Sequence, residues 1–178
     1  MPCVIITGAP GAGKTSLLAD LASRGYRTVP EPARAIIAER RAAGLSPRPE
    51  PEEFAREILR RDTEKFQEVV GANEWVFFDR AAVEAIAMVH EARPMERDTL
   101  ETTLARLSFH RTVFVLPPWK DIYTTDAERD HTFEHAERVH EALMRWYAMC
   151  GYALHVVPHL PAKERAHHIL HALACSAA

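Results

Sequence analysis

The stretch Gly8-Ala9-Pro10-Gly11-Ala12-Gly13-Lys14-Thr15 decides the fold of this chain. It matches the pattern G-x-x-x-x-G-K-[ST] at every fixed position, and it lies between the apolar run Cys3–Thr7 and a helical pattern over Lys14–Arg24. Small residues let backbone N–H groups close around phosphate oxygens, and the helix that follows points its positive end at the same anion. The stretch therefore predicts a phosphate-binding loop between a buried strand and a helix. An accidental glycine-rich turn is the alternative, but it does not explain this context.

The loop also predicts a nucleotide and a metal. Lys14 supplies a mobile positive charge for the β and γ phosphates, and the Thr15 hydroxyl can bind Mg²⁺. We therefore expect ATP and Mg²⁺ as cofactors. The candidate nucleotide-binding residues are Gly8, Ala9, Pro10, Gly11, Ala12, Gly13, Lys14, Thr15 and Ser16.

Short apolar runs alternate with longer helical patterns along the rest of the chain. The predicted strands are Cys3–Thr7, Tyr26–Pro30, Trp75–Phe78, Thr112–Leu116 and Ala153–Val157. The predicted helices are Lys14–Arg24, Pro32–Ala43, Pro51–Val70, Ala82–Ala92, Asp98–Phe109, Phe133–Cys150 and Ala162–Ala174. Five buried strands separated by helices predict an α/β protein with a parallel sheet and helices on both faces. In such sheets ligands bind beyond the carboxyl ends of the strands.

Length and charge restrict the function classes. The chain has 178 residues, with 22 basic and 25 acidic side chains and a net charge of −3. This balance excludes a broad basic surface built for nucleic acid, and the apolar runs are too short to span a membrane. Three cysteines without a metal-type spacing, together with a start that does not resemble a leader peptide, predict reduced thiols in a cytoplasmic protein. The length predicts one domain over residues 1–178. The expected partner is a small-molecule substrate, and the oligomeric state stays open.

An acid and a base follow the third predicted strand. Asp79 resembles a Walker B ending, so its carboxylate can hold Mg²⁺. The alternative role for this acid is to cap the next helix. Arg80 stands where many motor ATPases carry a water-polarising Glu, which argues against a dedicated hydrolase and favours binding of an anionic substrate or the transferring phosphoryl group. The alternative for Arg80 is an ion pair with Glu84, one helical turn later.

A second acid follows the second predicted strand. Glu31 can accept the proton of an acceptor hydroxyl as that hydroxyl attacks the γ phosphate. It can equally be a first-turn acid that faces the helix dipole. Arg34, one turn later, is either a substrate-binding or a surface arginine.

Residues 117–130 form a candidate lid. Pro117-Pro118 ends the fourth strand, and the polar segment Lys120–Arg129 precedes a long helix. A basic segment that closes over a nucleotide excludes water and adds positive charge at the transition state. Arg129 is the first candidate for this role, ahead of Lys120 and Arg138. The alternative is an ordinary loop in which Asp126 caps the helix, while Trp119 either stacks on a base or packs on the sheet edge.

The ten histidines suggest one competing chemistry. His131 and His135 match the zinc-peptidase pattern H-x-x-E-H, but no third ligand accompanies them. We therefore keep a zinc site only as a contrasting hypothesis. His167, His168 and His171 are expected on an exposed helix face.

Taken together, these motifs resemble those of small bacterial P-loop proteins of the AAA-type ATPase and kinase kind. The chain is similar to the ribosylnicotinamide kinase domain and, more distantly, to deoxynucleoside and thymidylate kinases. The stretches that carry the resemblance are GAPGAGKT (8–15), VPEPAR (29–34), FFDR (77–80), VLPPWKDIYTTDAER (115–129) and KERAHHIL (163–170).

The resemblance implies a three-layer α/β/α P-loop fold with strand order 2-3-1-4-5. It implies ATP and Mg²⁺ binding at Lys14, Thr15 and Asp79, with Arg129 as a lid arginine. It also implies that Glu31 is the catalytic base and that Arg80 supports it. The chain departs from the family after Arg80, where Ala81-Ala82-Val83-Glu84 replaces an expected Gly and a following Asp.

Two functions remain at this point. The first is an ATP-dependent phosphotransferase that acts on a small hydroxyl-bearing metabolite such as a nucleoside or an antibiotic, with Lys14, Glu31, Asp79, Arg80 and Arg129 as catalytic residues. The second is a nucleotide-binding regulator with slow ATPase activity. A phosphotransferase needs a base and an acceptor pocket, whereas a regulator needs only the nucleotide site and a mobile lid.

Overall fold

The computed structural model describes residues 3–123 and 132–176, with side chains to residue 175. Its strands are β1 (Cys3–Gly8), β2 (Arg27–Val29), β3 (Val76–Asp79), β4 (Thr112–Leu116) and β5 (Ala153–Val156). Its helices are α1 (Lys14–Ser23), α2 (Ala33–Ala42), α3 (Pro51–Val69), α4 (Ala82–Ala92), α5 (Arg97–Ala105), α6 (Phe133–Met149) and α7 (Ala162–Ser176). One 3₁₀ turn, Lys120–Ile122, follows β4.

The five strands form one parallel sheet in the order β2-β3-β1-β4-β5. The α/β class and the strand order 2-3-1-4-5 are thus confirmed. In this order β1 is central, with β3 on one side and β4 on the other. The register pairs Ile6 with Asp79 and Gly8 with Leu116, so the carboxyl ends of these three strands lie at one edge.

Apolar layers cover both faces of the sheet, as expected for a three-layer protein. On one face Ile5, Phe78 and Val113 pack with residues of α3, α4 and α6. On the other face Val4, Phe77 and Phe114 pack with residues of α1 and α7. Alternate residues of a strand point to opposite faces, so these near-continuous apolar strands are buried on both sides. This double burial is why each strand reads as an unbroken hydrophobic run.

The clearest difference from the sequence prediction is the end of α5. The pattern predicts a helix to Phe109, but α5 ends at Ala105. The Phe109 ring packs on Phe66 and Phe78, with ring centroids 4.7 and 5.1 Å apart. The next backbone N–H, that of His110, donates to the carbonyl oxygen of Cys3 at 2.7 Å. The packing of Phe109 in the core and the hydrogen bond from His110 to β1 therefore end the helix before Phe109.

None of the helices in the described part of the chain is long and apolar enough to cross a bilayer.

Candidate active site

The phosphate loop connects β1 to α1 and is closed by its own lysine. The Lys14 ammonium donates to the carbonyl oxygens of Gly8 at 2.7 Å and Ala9 at 3.1 Å. Gly13 precedes α1 in the left-handed conformation, with φ of 82°. Thr15 and Ser16 are exposed in the first turn of α1, so their hydroxyls are accessible to a ligand at the helix N-terminus. The loop thus has the arrangement that its sequence predicts.

All three glycines of the loop would bring a Cβ atom within 3.0 Å of a neighbouring atom, and Gly8 and Gly13 show which elements the loop approaches. A Cβ atom on Gly8 would lie 2.3 Å from the carbonyl oxygen of Leu116 on β4. A Cβ on Gly13 would lie 2.8 Å from the guanidinium of Arg165 on α7. Both residues also have positive φ, at 147° and 82°. The loop is therefore held close to β4 and α7, and glycine is required at both points.

Lys14 lies in an environment that disfavours its charge. Its side chain is buried, and Arg80 adds a second positive charge nearby. Burial and the charge of Arg80 lower the pKa of Lys14 to about 7, although nearby carboxylates oppose this shift. A bound phosphate would give the Lys14 ammonium a negatively charged partner and would stabilise its charged form.

Asp79 ends β3 beside the loop. One of its carboxylate oxygens, Oδ1, is fully buried and has no hydrogen-bond partner within the described chain. Burial raises the pKa of Asp79, and Glu31 and Glu84 add to this shift, while Lys14 opposes it. A buried carboxylate oxygen without a partner, together with the exposed Thr15 hydroxyl, is the oxygen donor set that Mg²⁺ prefers. The residues present therefore fit the implied metal.

Arg80 adopts an unusual backbone conformation. Its φ of 60° makes it the one non-glycine residue with positive φ in the described chain. Its N–H donates to Ile6 of β1 at 2.9 Å, and its guanidinium donates to the carbonyl oxygen of Gly8 at 3.1 Å. The left-handed turn therefore aims this side chain at the phosphate loop. Such strain persists only where the surrounding structure enforces it.

The Arg80 guanidinium also joins two carboxylates. It forms an ion pair with Glu84 and lies 3.4 Å from Glu31. The ion pair with Glu84 is the alternative that the sequence offered for Arg80, and it is present. Because the same guanidinium also contacts Glu31 and the loop, the ion pair does not remove Arg80 from the site. It holds the guanidinium between the end of β2 and the loop.

Glu84 is the centre of a buried network that the sequence analysis missed. Its carboxylate accepts hydrogen bonds from Thr7 on β1 and from the Tyr147 hydroxyl on α6, the latter at 3.0 Å. Burial raises the pKa of Tyr147 well above its usual value, and the charge of Glu84 adds to this effect. The three partners of Glu84 come from β1, from the residue after β3 and from α6, so only the folded chain brings them together. The sequence signals for Glu84 were its spacing from Arg80 and its place in the stretch that departs from the family pattern.

Glu31 follows β2, as predicted, and is half-buried against Arg80. The loop that carries it is tethered, because the Lys65 ammonium on α3 donates to the carbonyl oxygen of Pro30 at 2.7 Å. Arg34 is exposed on α2.

Asp62 is a second residue that the sequence analysis missed. It lies on the buried stripe of α3 with Ile58, Phe66 and Val69 and is only 3 % exposed. Its carboxylate makes no hydrogen bond or ion pair with any described residue. Burial raises the pKa of Asp62 to about 7; the positive charge of Lys65 opposes this shift, and the charges of Glu31, Glu84 and Asp79 add to it. The available signal was an acid at a position where the helical spacing calls for an apolar residue.

The segment after β4 lies against the loop. Trp119 stacks on His159, with ring centroids 5.0 Å apart and planes within 6°. The Arg165 guanidinium lies 5.6 Å from the Trp119 ring centroid and donates to the carbonyl oxygen of Ala12 at 2.9 Å. Lys120 and Arg138 are exposed. Residues 124–131, with Asp126, Arg129 and His131, lie outside the described residues, and so does half of the candidate lid.

The histidines are distributed differently from the expectation. His167 and His171 are exposed on α7, but His168 is half-buried, with its Nε2 2.8 Å from Nε2 of His155 on β5. The expected all-exposed face is thus wrong at His168, because this residue turns toward the sheet. Within residues 3–123 and 132–175, no group of three metal-ligating side chains comes together.

Comparisons with known proteins agree with this geometry. A family model described as "AAA domain" matches residues 3–165. No curated protein matches the chain.

Several solved structures share the fold. Deoxyadenosine kinase from M. mycoides, solved with dCMP and dCDP, superposes with a TM-score of 0.65 at 17 % identity, over 97 % of this chain and 99 % of that one. Thymidylate kinase from Ehrlichia chaffeensis gives 0.59 at 15 % identity, over 97 % and 100 %. Shikimate kinase from Acinetobacter baumannii, in complex with shikimate, gives 0.53 at 17 % identity, over 99 % and 94 %. The chain belongs to this AAA-domain family of P-loop proteins and has the fold of P-loop kinases.

Proposed function

We propose that this protein is an ATP- and Mg²⁺-dependent kinase that phosphorylates a hydroxyl group of a small metabolite. One observation carries the proposal: the Arg80 guanidinium links the phosphate loop, at the Gly8 carbonyl, to the carboxylate of Glu31. A phosphate donor and a general base must lie on either side of the attacking hydroxyl. This link supports a site in which the two lie at neighbouring points.

Each residue has a role in this proposal. The loop amides and Lys14 hold the β and γ phosphates, and Thr15 and Asp79 hold the metal. Bound Mg²⁺ would neutralise charge on the phosphate oxygens during transfer. Glu31 accepts the proton of the acceptor hydroxyl while its oxygen bonds to the γ phosphorus and the bond to the ADP oxygen breaks. Arg80 orients Glu31 and offsets negative charge between the base and the transferring group.

The charged residues beside the loop favour a kinase over a regulator with slow ATPase activity. We call Glu31, Asp62, Arg80 and Glu84 the acceptor cluster. Two of them, Asp62 and Glu84, are buried charged groups that a nucleotide switch does not require. Keeping buried charge is costly, so a set of such groups next to a phosphate site indicates a second ligand. Shikimate kinase and deoxyadenosine kinase, two proteins of this fold, are by name kinases of small molecules, which supports the same choice.

Residues 117–130 remain a proposed lid, with Arg129 as its candidate arginine. The contact of Arg165 with both Trp119 and the Ala12 carbonyl supports a link between this segment and the loop. The proposed single domain and the small-molecule partner follow from the same scheme.

The test of the proposed function is Glu31→Gln. We expect the variant to bind ATP like the wild type and to lose phosphoryl transfer by about 10²- to 10⁴-fold, because the acceptor hydroxyl lacks its base. Acceptors are found by ADP release over a panel of nucleosides, cofactor precursors and antibiotics, and the gain of phosphate is read by mass spectrometry.

The matched control is Glu74→Gln, an exposed glutamate near β3, which should keep full turnover. Full turnover in Glu31→Gln with the true acceptor would remove Glu31 as the base. ATP hydrolysis without phosphate gain by any compound in the panel would favour the regulator.

A further inference from the structure

We propose that Asp62 selects the acceptor, and that the acceptor carries a nitrogen group, either a protonated amine or an exocyclic amine, whose hydrogen bonds this carboxylate accepts. The inference rests on the proposed kinase function and names the chemistry of its substrate. It starts from a residue whose burial has no explanation inside the described protein.

The first argument is the missing partner. Asp62 is 3 % exposed and makes no hydrogen bond or ion pair with a described residue. A buried carboxylate is normally paired or multiply hydrogen-bonded, since removing it from water is otherwise unfavourable. Of the nearby charges, that of Lys65 favours the ionised carboxylate, whereas those of Glu31 and Glu84 oppose it, and no hydrogen bond from Lys65 reaches Asp62. A donor from outside the chain would satisfy this group.

The second argument is position. Lys65 lies one turn after Asp62 on α3 and donates to the carbonyl oxygen of Pro30, the residue before Glu31. This part of α3 therefore lies against the loop that carries the proposed base, and Asp62 is near enough to Glu31 for their charges to interact. An acceptor with its hydroxyl at Glu31 would present its other end to Asp62.

The third argument is that α3 is fixed in place. Arg61, next to Asp62, donates two hydrogen bonds to Glu39 of α2, at 2.8 and 2.6 Å, and a third to Glu57 at 2.7 Å. A bidentate contact of this kind fixes both distance and angle. Asp62 is therefore held by a rigid pair of helices, as a selecting group must be.

The chemistry of the group decides the ligand class. A carboxylate accepts hydrogen bonds and carries negative charge, so it favours N–H donors and, among them, cations. A site built around such a group rejects an analogue that lacks the donor, because the carboxylate is then left unpaired. The acceptor should thus have a hydroxyl at one end and an amine at the other.

The experiment measures binding before transfer. The full chain with Mg²⁺ and a non-hydrolysable ATP analogue is titrated calorimetrically with three pairs of probes: glucosamine and glucose, adenosine and inosine, and cytidine and uridine. In at least one pair we expect the amine member to bind tighter, by about 10²-fold or more. The glucosamine pair reports a cation, and the nucleoside pairs report a neutral amine.

Two variants assign the preference to Asp62. Asp62→Leu should abolish it, while Asp62→Asn should abolish it for a cation and keep part of it for a neutral amine, because an amide oxygen still accepts. Glu64→Gln, at an exposed position of the same helix, is the matched control and should keep the preference. All variants should bind the ATP analogue like the wild type, which also shows that they fold.

The outcomes separate the inference from the proposed function. No amine preference in any pair, or a preference that survives in Asp62→Leu, overturns the role of Asp62. If the preferred probe binds but gains no phosphate when ATP replaces the analogue, the kinase proposal fails and the role of Asp62 stands. Equal phosphate transfer to both members of every pair leaves the kinase and overturns the inference.

Discussion

The phosphate loop and the acceptor cluster lie side by side but are built in different ways. The loop is one continuous stretch of eight residues whose polar contacts are mostly backbone groups and one lysine. The acceptor cluster consists of side chains from four separate places: the end of β2, α3, the end of β3 and α4. Backbone chemistry imposes a residue pattern, whereas side chains gathered from distant elements do not.

This difference separates the general part of the protein from the specific part. Any triphosphate presents the same oxygens, so a loop that binds it can be shared by a whole superfamily. The acceptor differs between enzymes, so the groups that face it should differ as well. The following predictions test whether the two regions can be separated in this way.

The largest effect should come from Lys14→Met. This change keeps the length of the side chain but removes the one charge that the loop directs at the phosphates. We expect turnover to fall by at least about 10³-fold, together with a loss of ATP binding. Lys163→Met, at an exposed position of α7, is the control. Unchanged ATP affinity in Lys14→Met would show that the nucleotide binds elsewhere.

Next comes Glu84→Gln, which tests whether the acceptor cluster acts as a unit. Removing this charge leaves Arg80 with Glu31 alone and weakens the contacts to Thr7 and Tyr147. We expect turnover to fall by about 10²-fold while ATP affinity stays within a few-fold, because the loop itself is intact. A loss of ATP affinity as large as the loss of turnover would show that loop and cluster are not separable. Glu91→Gln, at an exposed position of α4, should change neither quantity.

Asp62→Asn should stabilise the protein, in contrast to most changes at buried positions. The pKa of Asp62 is about 7 in the folded chain, above its usual value. The free energy of unfolding of the wild type therefore falls as pH rises from about 4 to about 7, because in this range the folded chain keeps the Asp62 proton and the unfolded chain releases it. The variant has no such loss, so its advantage should be small at pH 5 and about 2 kcal/mol, or roughly 5 °C in Tm, at pH 8.

Thermal unfolding of both proteins at the two pH values measures this difference. An advantage at pH 5 as large as that at pH 8 would show that folding does not raise the pKa of Asp62.

The smallest effect should come from Arg165→Leu, which tests whether the conformation of the phosphate loop depends only on residues of the loop itself. The change removes the hydrogen bond to the Ala12 carbonyl and the contact with Trp119. We expect ATP to bind about 10-fold more weakly, because one charged hydrogen bond that fixes the loop is lost. Arg145→Leu, on the surface of α6, is the control. Unchanged ATP affinity would mean that the loop holds its conformation without α7.

The sequence predicts the fold and the loop well for one physical reason. Each buried strand reads as an apolar run, and the loop needs its glycines where the backbone has positive φ or no space for a Cβ. Strand β4 and helix α4 have the predicted bounds. The prediction fails at the end of α5, where Phe109 packs into the core instead of continuing a helix. That contact joins residues that are distant in the sequence, so no local sequence pattern predicts it.

The acceptor cluster was predicted only in part. Glu31 and Arg80 were found because each follows a strand end. Their contact at 3.4 Å depends on the left-handed turn at Arg80, and that conformation could not be read from the residue type. Asp62 was missed, and Glu84 was predicted only as an ion-pair partner of Arg80, because the burial of Asp62 and the other contacts of Glu84 depend on α3, α6 and β1 in three dimensions. Roles for all four residues stay predictions until the variants are measured.

The contact between Arg165 and Ala12 joins positions 153 residues apart in the chain. During synthesis the nucleotide loop emerges early, whereas the arginine that braces it belongs to the final helix of the fold. Tight ATP capture should therefore wait until α7 has packed on the sheet, and a nascent chain that stops before α7 should hold nucleotide more weakly. Ligand occupancy in this protein would then report that α7 has reached its place in the fold.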